Sequence, residues 1–218
     1  MDEFPYRLVS VDIDGTLTLV HGWEVIASRL GRSEGYDQTE RLYRAGTIGE
    51  DEHLRNLLAL AEGATMAELD AILAGTPRVE AIDSAVERLH AYGCRVALLT
   101  HNPPYVTDWY CRTFGFDAAD GLASAPTCAG GRVEAPVGTR ADKVGGLDRL
   151  CRRFSVPRGR VAHVGDGLAD AEVFPLVGFG VAFRSRIPEV RAAADAVLDS
   201  PDLPAVVDLL RRSPSARP

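Results

Sequence analysis

The sequence predicts an α/β protein built on a doubly wound parallel sheet, with a small α-helical insert. Three observations predict this class. From residue 77 onward, short apolar runs alternate with segments of helical periodicity. Between the first apolar run and that alternation, roughly fifty residues keep helical spacing with no strand among them. The apolar runs are unbroken rather than alternating, as expected for strands covered by helices on both faces.

The elements follow in order. Residues 6–14 form an apolar strand that ends in two carboxylates, and Gly15 and Thr16 break it. Helices are expected over 22–31, 37–45, 50–62 and 66–74, punctuated by Gly31, Gly35, Gly46 and Gly63. A helix over 79–92 stops at Gly93, a strand fills 94–100, and a helix over 104–114 stops at Gly115. Residues 121–134 carry two short strand-like pieces around Ala129-Gly130-Gly131, which signals a hairpin. Helix 141–154, strand 160–165, helix 169–176, strand 178–183, helix 187–194, strand 196–199 and helix 203–212 complete the pattern. The expected division is a core domain of residues 1–16 and 76–212, a helical cap domain of 17–75, and a disordered tail at 213–218.

A chain of 218 residues with 46% hydrophobic and 25% charged residues buries a full core without disulfides or structural metal. No apolar run reaches the ~18 residues of a membrane span, and Met1-Asp2-Glu3-Phe4-Pro5 lacks the basic and apolar regions of a secretory signal. The expected location is cytoplasmic, with no membrane partner. A net charge of −7 argues against a broad nucleic-acid face. Cys94, Cys111, Cys128 and Cys151 have no metal-ligand spacing and read as free thiols. Among 24 basic residues Lys143 is the single lysine, which draws attention to its position.

In open parallel sheets the ligand lies beyond the carboxyl ends of the strands. Those ends offer Asp12 and Asp14, Thr100, and Asp166, while Lys143 opens a helix that can reach the same crevice. Asp12 and Asp14 share a side, because neighbours on a strand alternate. Three carboxylates brought together repel unless a cation lies between them, and a few hard oxygen ligands suit Mg²⁺ beside a phosphate. One aspartate can then attack phosphorus, and another can protonate the leaving alcohol and activate water. Thr100 can bond a phosphoryl oxygen, Lys143 can neutralise charge, and the backbone of Gly15-Thr16 can offer N–H groups to the same oxyanion. Each residue also has a plainer reading. Asp-Gly pairs make turns, Thr100 before His101-Asn102-Pro103 can cap a helix, and lysines mostly sit in solvent.

Taken together these residues resemble the haloacid dehalogenase superfamily. Asp12-Ile13-Asp14-Gly15-Thr16-Leu17-Thr18 resembles its motif I, Thr100 motif II, Lys143 motif III, and Gly165-Asp166-Gly167-Leu168-Ala169-Asp170 motif IV. The insert resembles the small helical C1 cap of the phosphoserine phosphatase-like branch, on a Rossmann-like core. The resemblance implies a phosphatase for a small phosphorylated metabolite, acting through an aspartyl-phosphate. It implies Asp12 as nucleophile and Asp14 as acid/base, with Thr100 and Lys143 holding the phosphoryl group. It further implies Mg²⁺ held by Asp12, Asp166 and the Asp14 carbonyl, with Asp170 supporting the metal or Lys143.

The departures fall on the substrate-reading positions. His21 stands where phosphoserine phosphatases carry a glutamate, and Leu57 stands where they carry a carboxylate-clamping arginine, with Arg55 two residues earlier. Thr100-His101-Asn102 replaces Ser-Gly-Gly. The expected substrate-reading residues are therefore Gly15, His21, Arg55, His101 and Asn102, while Trp23 and Tyr43 are either readers or cap core. The expected partner is a small phosphate ester, bound by a monomer or homodimer. Alternatives are a phosphoserine phosphatase proper, a phosphotransferase or phosphomutase, and, remotely, a receiver-type signalling module.

Overall fold

The computed structural model describes residues 4–121, 128–134 and 142–213. Six strands form one parallel sheet: β1 (Leu8–Val11), β2 (Arg95–Leu99), β3 (Ala118–Asp120), β6 (Val161–Gly165), β7 (Phe179–Phe183) and β8 (Ala196–Leu198). Between β3 and β6 the chain makes a separate antiparallel hairpin, β4 (Cys128–Ala129) and β5 (Arg132–Val133), turning on Gly130-Gly131 as expected. The sheet order is β3-β2-β1-β6-β7-β8. Winding reverses between β1 and β6, so their carboxyl ends frame the crevice of a doubly wound sheet.

The strands are apolar on both faces because both faces are covered. Val9 and Val11 pack with α5 (Ile82–Ala91), α6 (Pro104–Phe114) and α10 (Pro204–Arg212). Leu8 and Val161 pack on the opposite face, against α7 (Lys143–Phe154) and α8 (Leu168–Val173). Ser10 and His163 interrupt these apolar runs at paired positions of β1 and β6. α9 (Pro188–Ala193) precedes the edge strand β8.

The insert contains four helices, α1 (Gly22–Arg29), α2 (Ser33–Arg44), α3 (Glu50–Ala59) and α4 (Met66–Gly75). Thr65 and Glu68 close a reciprocal capping box at the start of α4. Trp23, Ile26, Leu54, Leu57, Leu58 and Leu69 are buried among these helices. The two chain crossings between insert and sheet are bonded to each other: Leu19 N–H donates to Pro77 O at 3.0 Å, and Val79 N–H to Leu17 O at 2.9 Å. The hairpin braces the α3–α4 turn through Gly63 N–H to Val133 O (2.8 Å) and Val133 N–H to Ala64 O (2.9 Å).

Some expectations shift. Helix 79–92 starts only at Ile82, because Val79 is bonded to the first chain crossing and Ala81 turns into the left-handed region. The sheet gains β3, absent from the sequence reading: its three residues, Ala-Ala-Asp, carry no strand periodicity, and pairing with β2 recruits them. Cys94 is buried and Cys111 and Cys151 half-buried, all three as thiols; the Cys128 side chain and residues 214–218 of the expected tail lie outside the described residues. No helix among the described residues is long and apolar enough to cross a membrane.

Candidate active site

Asp12 follows β1 and Asp166 follows β6, so the switch point of the sheet places both carboxylates. Alternation puts Ser10, Asp12 and His163 on the face covered by α7 and α8, and those two helices deliver Lys143 and Asp170. Lys143 is the first residue of α7, whose start is capped by Asp142 Oδ1 accepting from Gly145 N–H at 2.8 Å. The Lys143 Nζ lies 3.0 Å from Asp12 Oδ1 and 2.6 Å from Asp170 Oδ1.

Asp170 has no solvent exposure, and four donors hold its oxygens. Oδ1 accepts from Lys143 and from His163 Nε2 at 2.9 Å. Oδ2 accepts from the N–H groups of Asp166 at 3.1 Å and Gly167 at 2.9 Å. Burial lowers the pKa of His163, so its ring is neutral: Nε2–H donates to Asp170 and Nδ1 accepts from the Ser10 hydroxyl at 2.9 Å. Ser10 and His163 were not anticipated from the sequence. Their signal is there, as two polar residues inside otherwise apolar strands.

The charge states follow from this sharing. Burial alone would discharge Lys143, but Asp12 and Asp170 beside it override burial and hold the ammonium above its usual pKa. Burial would also raise Asp170, yet Lys143 and His163 keep it well below the usual carboxylate range. One ammonium cannot neutralise two buried carboxylates. Asp12 carries the excess: burial, reinforced by Asp170, Asp166 and Asp14, pushes its pKa well up despite Lys143. Asp166 is pushed up to about 6 by burial, opposed by the Thr16 hydroxyl that donates to its Oδ1 at 2.8 Å. One carboxylate oxygen each from Asp12, Asp166 and Asp170 lie within 4.8 Å of one another. Such an oxygen-only, under-neutralised set fits a hard divalent cation.

Gly15 is required twice over. Its φ is +79°, and a Cβ there would collide with the Asp166 carboxylate. Its N–H does not serve the crevice as expected, because it donates to Thr18 Oγ1 at 3.1 Å and closes the turn after β1. Asp14 is held by two donors, Gly22 N–H at 2.7 Å to Oδ1 and Asn102 Nδ2 at 2.7 Å to Oδ2. Asn102 also donates to Thr100 Oγ1 at 3.0 Å.

Above these groups a cavity of about 550 Å³ opens toward α1, α2 and α3. His21, Trp23 and Tyr43 line it, as do Glu40, Glu50 and His53, which the sequence reading passed over. His53 Nε2 meets Glu40 Oε1 at 2.7 Å and stacks on Tyr43 at 4.1 Å between ring centroids. His101 lines the cavity too; burial pushes its pKa down to about 4, and its Nε2 has no hydrogen-bond partner. Two expected readers are elsewhere. Arg55 is exposed and outside the cavity, because Glu50, His53, Leu54 and Leu57 form the i, i+3, i+4, i+7 face of α3 that turns inward. Asn102 is buried beneath the site rather than lining it.

Fold and site together define an open α/β protein with an acidic, cation-compatible centre at its switch point and a helical wall above it. The family model of haloacid dehalogenase-like hydrolases matches residues 6–178, and the chain belongs to this family. Among its relatives, a phosphoserine phosphatase of Archaeoglobus fulgidus is 26% identical over 208 residues, covering 94% of this chain and 60% of that protein. One of Lactococcus lactis subsp. lactis is 25% identical over 207 residues, covering 93% of this chain and 94% of the relative. The chain thus spans less than two thirds of the first relative's length. Among solved structures, a substrate-bound phosphoserine phosphatase complex superposes with a TM-score of 0.78 at 18% identity, covering 94% of this chain and 98% of that one. The sheet, the winding and the helical insert are shared with that fold.

Proposed function

We propose that this chain is a magnesium-dependent phosphomonoesterase that hydrolyses a small phosphorylated metabolite through an aspartyl-phosphate on Asp12. The observation that carries the reading is the shared Lys143: Asp12 faces the cavity beside an ammonium that Asp170 already claims, with Asp166 across from it. The residues that would hold the ion are Asp12 and Asp166, with Asp14 through its main-chain carbonyl. Asp170, with both oxygens taken, serves by fixing Lys143 and the loop after β6. When bound, the ion supplies charge neutralisation for the phosphoryl oxygens.

The steps belong to the side chains. An Asp12 oxygen attacks phosphorus and the bond to the leaving alcohol breaks, its oxygen taking a proton from Asp14. Asp14 then takes a proton from water, whose oxygen attacks phosphorus; the bond to Asp12 breaks and inorganic phosphate leaves. Thr100 and Lys143 hold the phosphoryl oxygens throughout. The helices of 17–75 act as a cap that excludes water and reads the leaving group, over a core of 1–16 and 76–212.

The substrate itself is proposed from the wall. Lys143 is the one Lys or Arg lining the cavity among the described residues, and Leu57 stands where the resemblance puts a carboxylate clamp. A leaving group without a carboxylate fits this wall better than serine does, since a buried carboxylate without a cation is costly. The test is phosphate release with Mg²⁺ from p-nitrophenyl phosphate, glycerol 2-phosphate, sugar phosphates and phosphoserine. The expected result is turnover that EDTA abolishes, with phosphoserine among the poorer substrates. Undiminished turnover in EDTA, or release from no ester, contradicts the reading.

A further inference from the structure

Resting on the phosphomonoesterase reading, we propose that Asn102 is the positioning residue of this site, aiming the acid/base Asp14 and the phosphoryl-binding Thr100 with one amide group. Asn102 is 3% exposed and is not among the residues lining the cavity, which places it behind Asp14 and Thr100, which do line it. Its Nδ2 donates to Asp14 Oδ2 at 2.7 Å and to Thr100 Oγ1 at 3.0 Å, which uses both amide protons. With Asp14 ionised the amide faces this way, because its oxygen turned toward the carboxylate would set two acceptors against each other.

The consequences differ at the two partners. Asp14 has donors on both oxygens, Gly22 N–H from α1 and Asn102 from the end of β2. Its carboxyl plane is therefore fixed between the insert and the sheet, at the lining of the cavity. Thr100, accepting from Asn102, is left with its hydroxyl proton as the group to give to a phosphoryl oxygen. Each arrangement is worth most in the transition state, where orientation counts.

The backbone holds Asn102 rigidly enough for this task. Pro103 restricts it to an extended conformation, and Pro103 and Pro104 open α6 directly behind it. Gly121, after β3, runs so close that a Cβ there would collide with the Asn102 carbonyl oxygen. The Asn102 position is thus clamped from α6 and from β3 while its side chain reaches two functional groups.

The experiment compares kcat/KM on two esters in wild type, Asn102→Ala and the isosteric Asn102→Asp. p-Nitrophenyl phosphate has a leaving group that needs no proton, whereas glycerol 2-phosphate requires general acid help. If Asn102 aims Asp14, both variants lose ~100-fold on glycerol 2-phosphate and less than ~10-fold on p-nitrophenyl phosphate. Equal losses on both esters overturn the aiming of Asp14, and no loss on either overturns the proposal whole. A melting temperature of Asn102→Asp close to wild type separates this pattern from unfolding, which would lower both esters alike. If the wild type hydrolyses neither ester, the phosphomonoesterase reading fails, and this proposal with it.

Discussion

On the floor of the cavity Asp170 is fully buried and four donors hold its two oxygens, whereas on the wall Glu50 is half exposed and meets His101 at 3.7 Å. The floor is tied to strand ends and helix starts that cannot move without leaving buried charge unpaired. The wall sits on helices whose inward face is one stripe among several. On the phosphomonoesterase reading, the floor is preorganised for charge that develops in the reaction, and the wall is free to vary with the leaving group.

The largest expected effect is at the floor. Asp12→Asn keeps the shape and removes the attacking oxyanion, and kcat should fall on the order of 1,000-fold or more with the melting temperature little changed. Substantial residual turnover in a clean preparation would take Asp12 out of that role and blur the contrast between floor and wall.

The floor was legible in the sequence because strand-end position is enough to place it. Asp12, Thr100 and Asp166 each stand one residue past a strand, Asp14 comes two residues after Asp12, and the sole lysine opens a helix. Ser10 and His163 show that the strands themselves held more: a buried strand tolerates a polar residue only with a partner, and here each is the other's. The wall was less legible because a helix face depends on register. Arg55 and Leu57 are two residues apart, 200° around α3, so an attribution within two positions could not decide which one turns inward. Asn102 reads as a substrate contact because it falls in the stretch that replaces Ser-Gly-Gly, while the close approach of Gly121 to its carbonyl is a long-range contact that no local pattern encodes.

A second test sharpens the floor by titration. Burial raises Asp166 from 3.8 to about 6, so the folded, metal-free protein holds that proton over a range where the unfolded chain has lost it. Its contribution to stability is fully present below about pH 4 and is lost as pH rises through about 6. Asp12, raised in the same direction, adds to that loss at higher pH. In EDTA this pair should favour a higher melting temperature at pH 5 than at pH 7, and Mg²⁺ at pH 7 should recover the difference. A melting temperature indifferent to Mg²⁺ at pH 7 would mean that the floor is not a cation site.

The smallest effects belong to the wall, and they come as a pair. Leu57→Arg should raise kcat/KM on phosphoserine relative to 2-aminoethyl phosphate by ~10-fold, by supplying a charge-assisted partner for the carboxylate. Arg55→Ala should leave both substrates within about twofold, as expected of an exposed side chain outside the cavity. A large loss on phosphoserine in Arg55→Ala would show that this arginine swings into the cavity and that the wall is more mobile than its helices suggest.

The covalent intermediate tests the account most directly. In Asp14→Asn, attack on p-nitrophenyl phosphate needs no proton donor, but hydrolysis of the acyl phosphate lacks its base. Rapid acid quenching followed by peptide mass spectrometry should then find one phosphoryl group on the peptide containing Asp12, removable by hydroxylamine. Nitrophenol release with the phosphoryl group on another residue, or with no covalent adduct at any time point, would contradict the assignment of Asp12 as nucleophile.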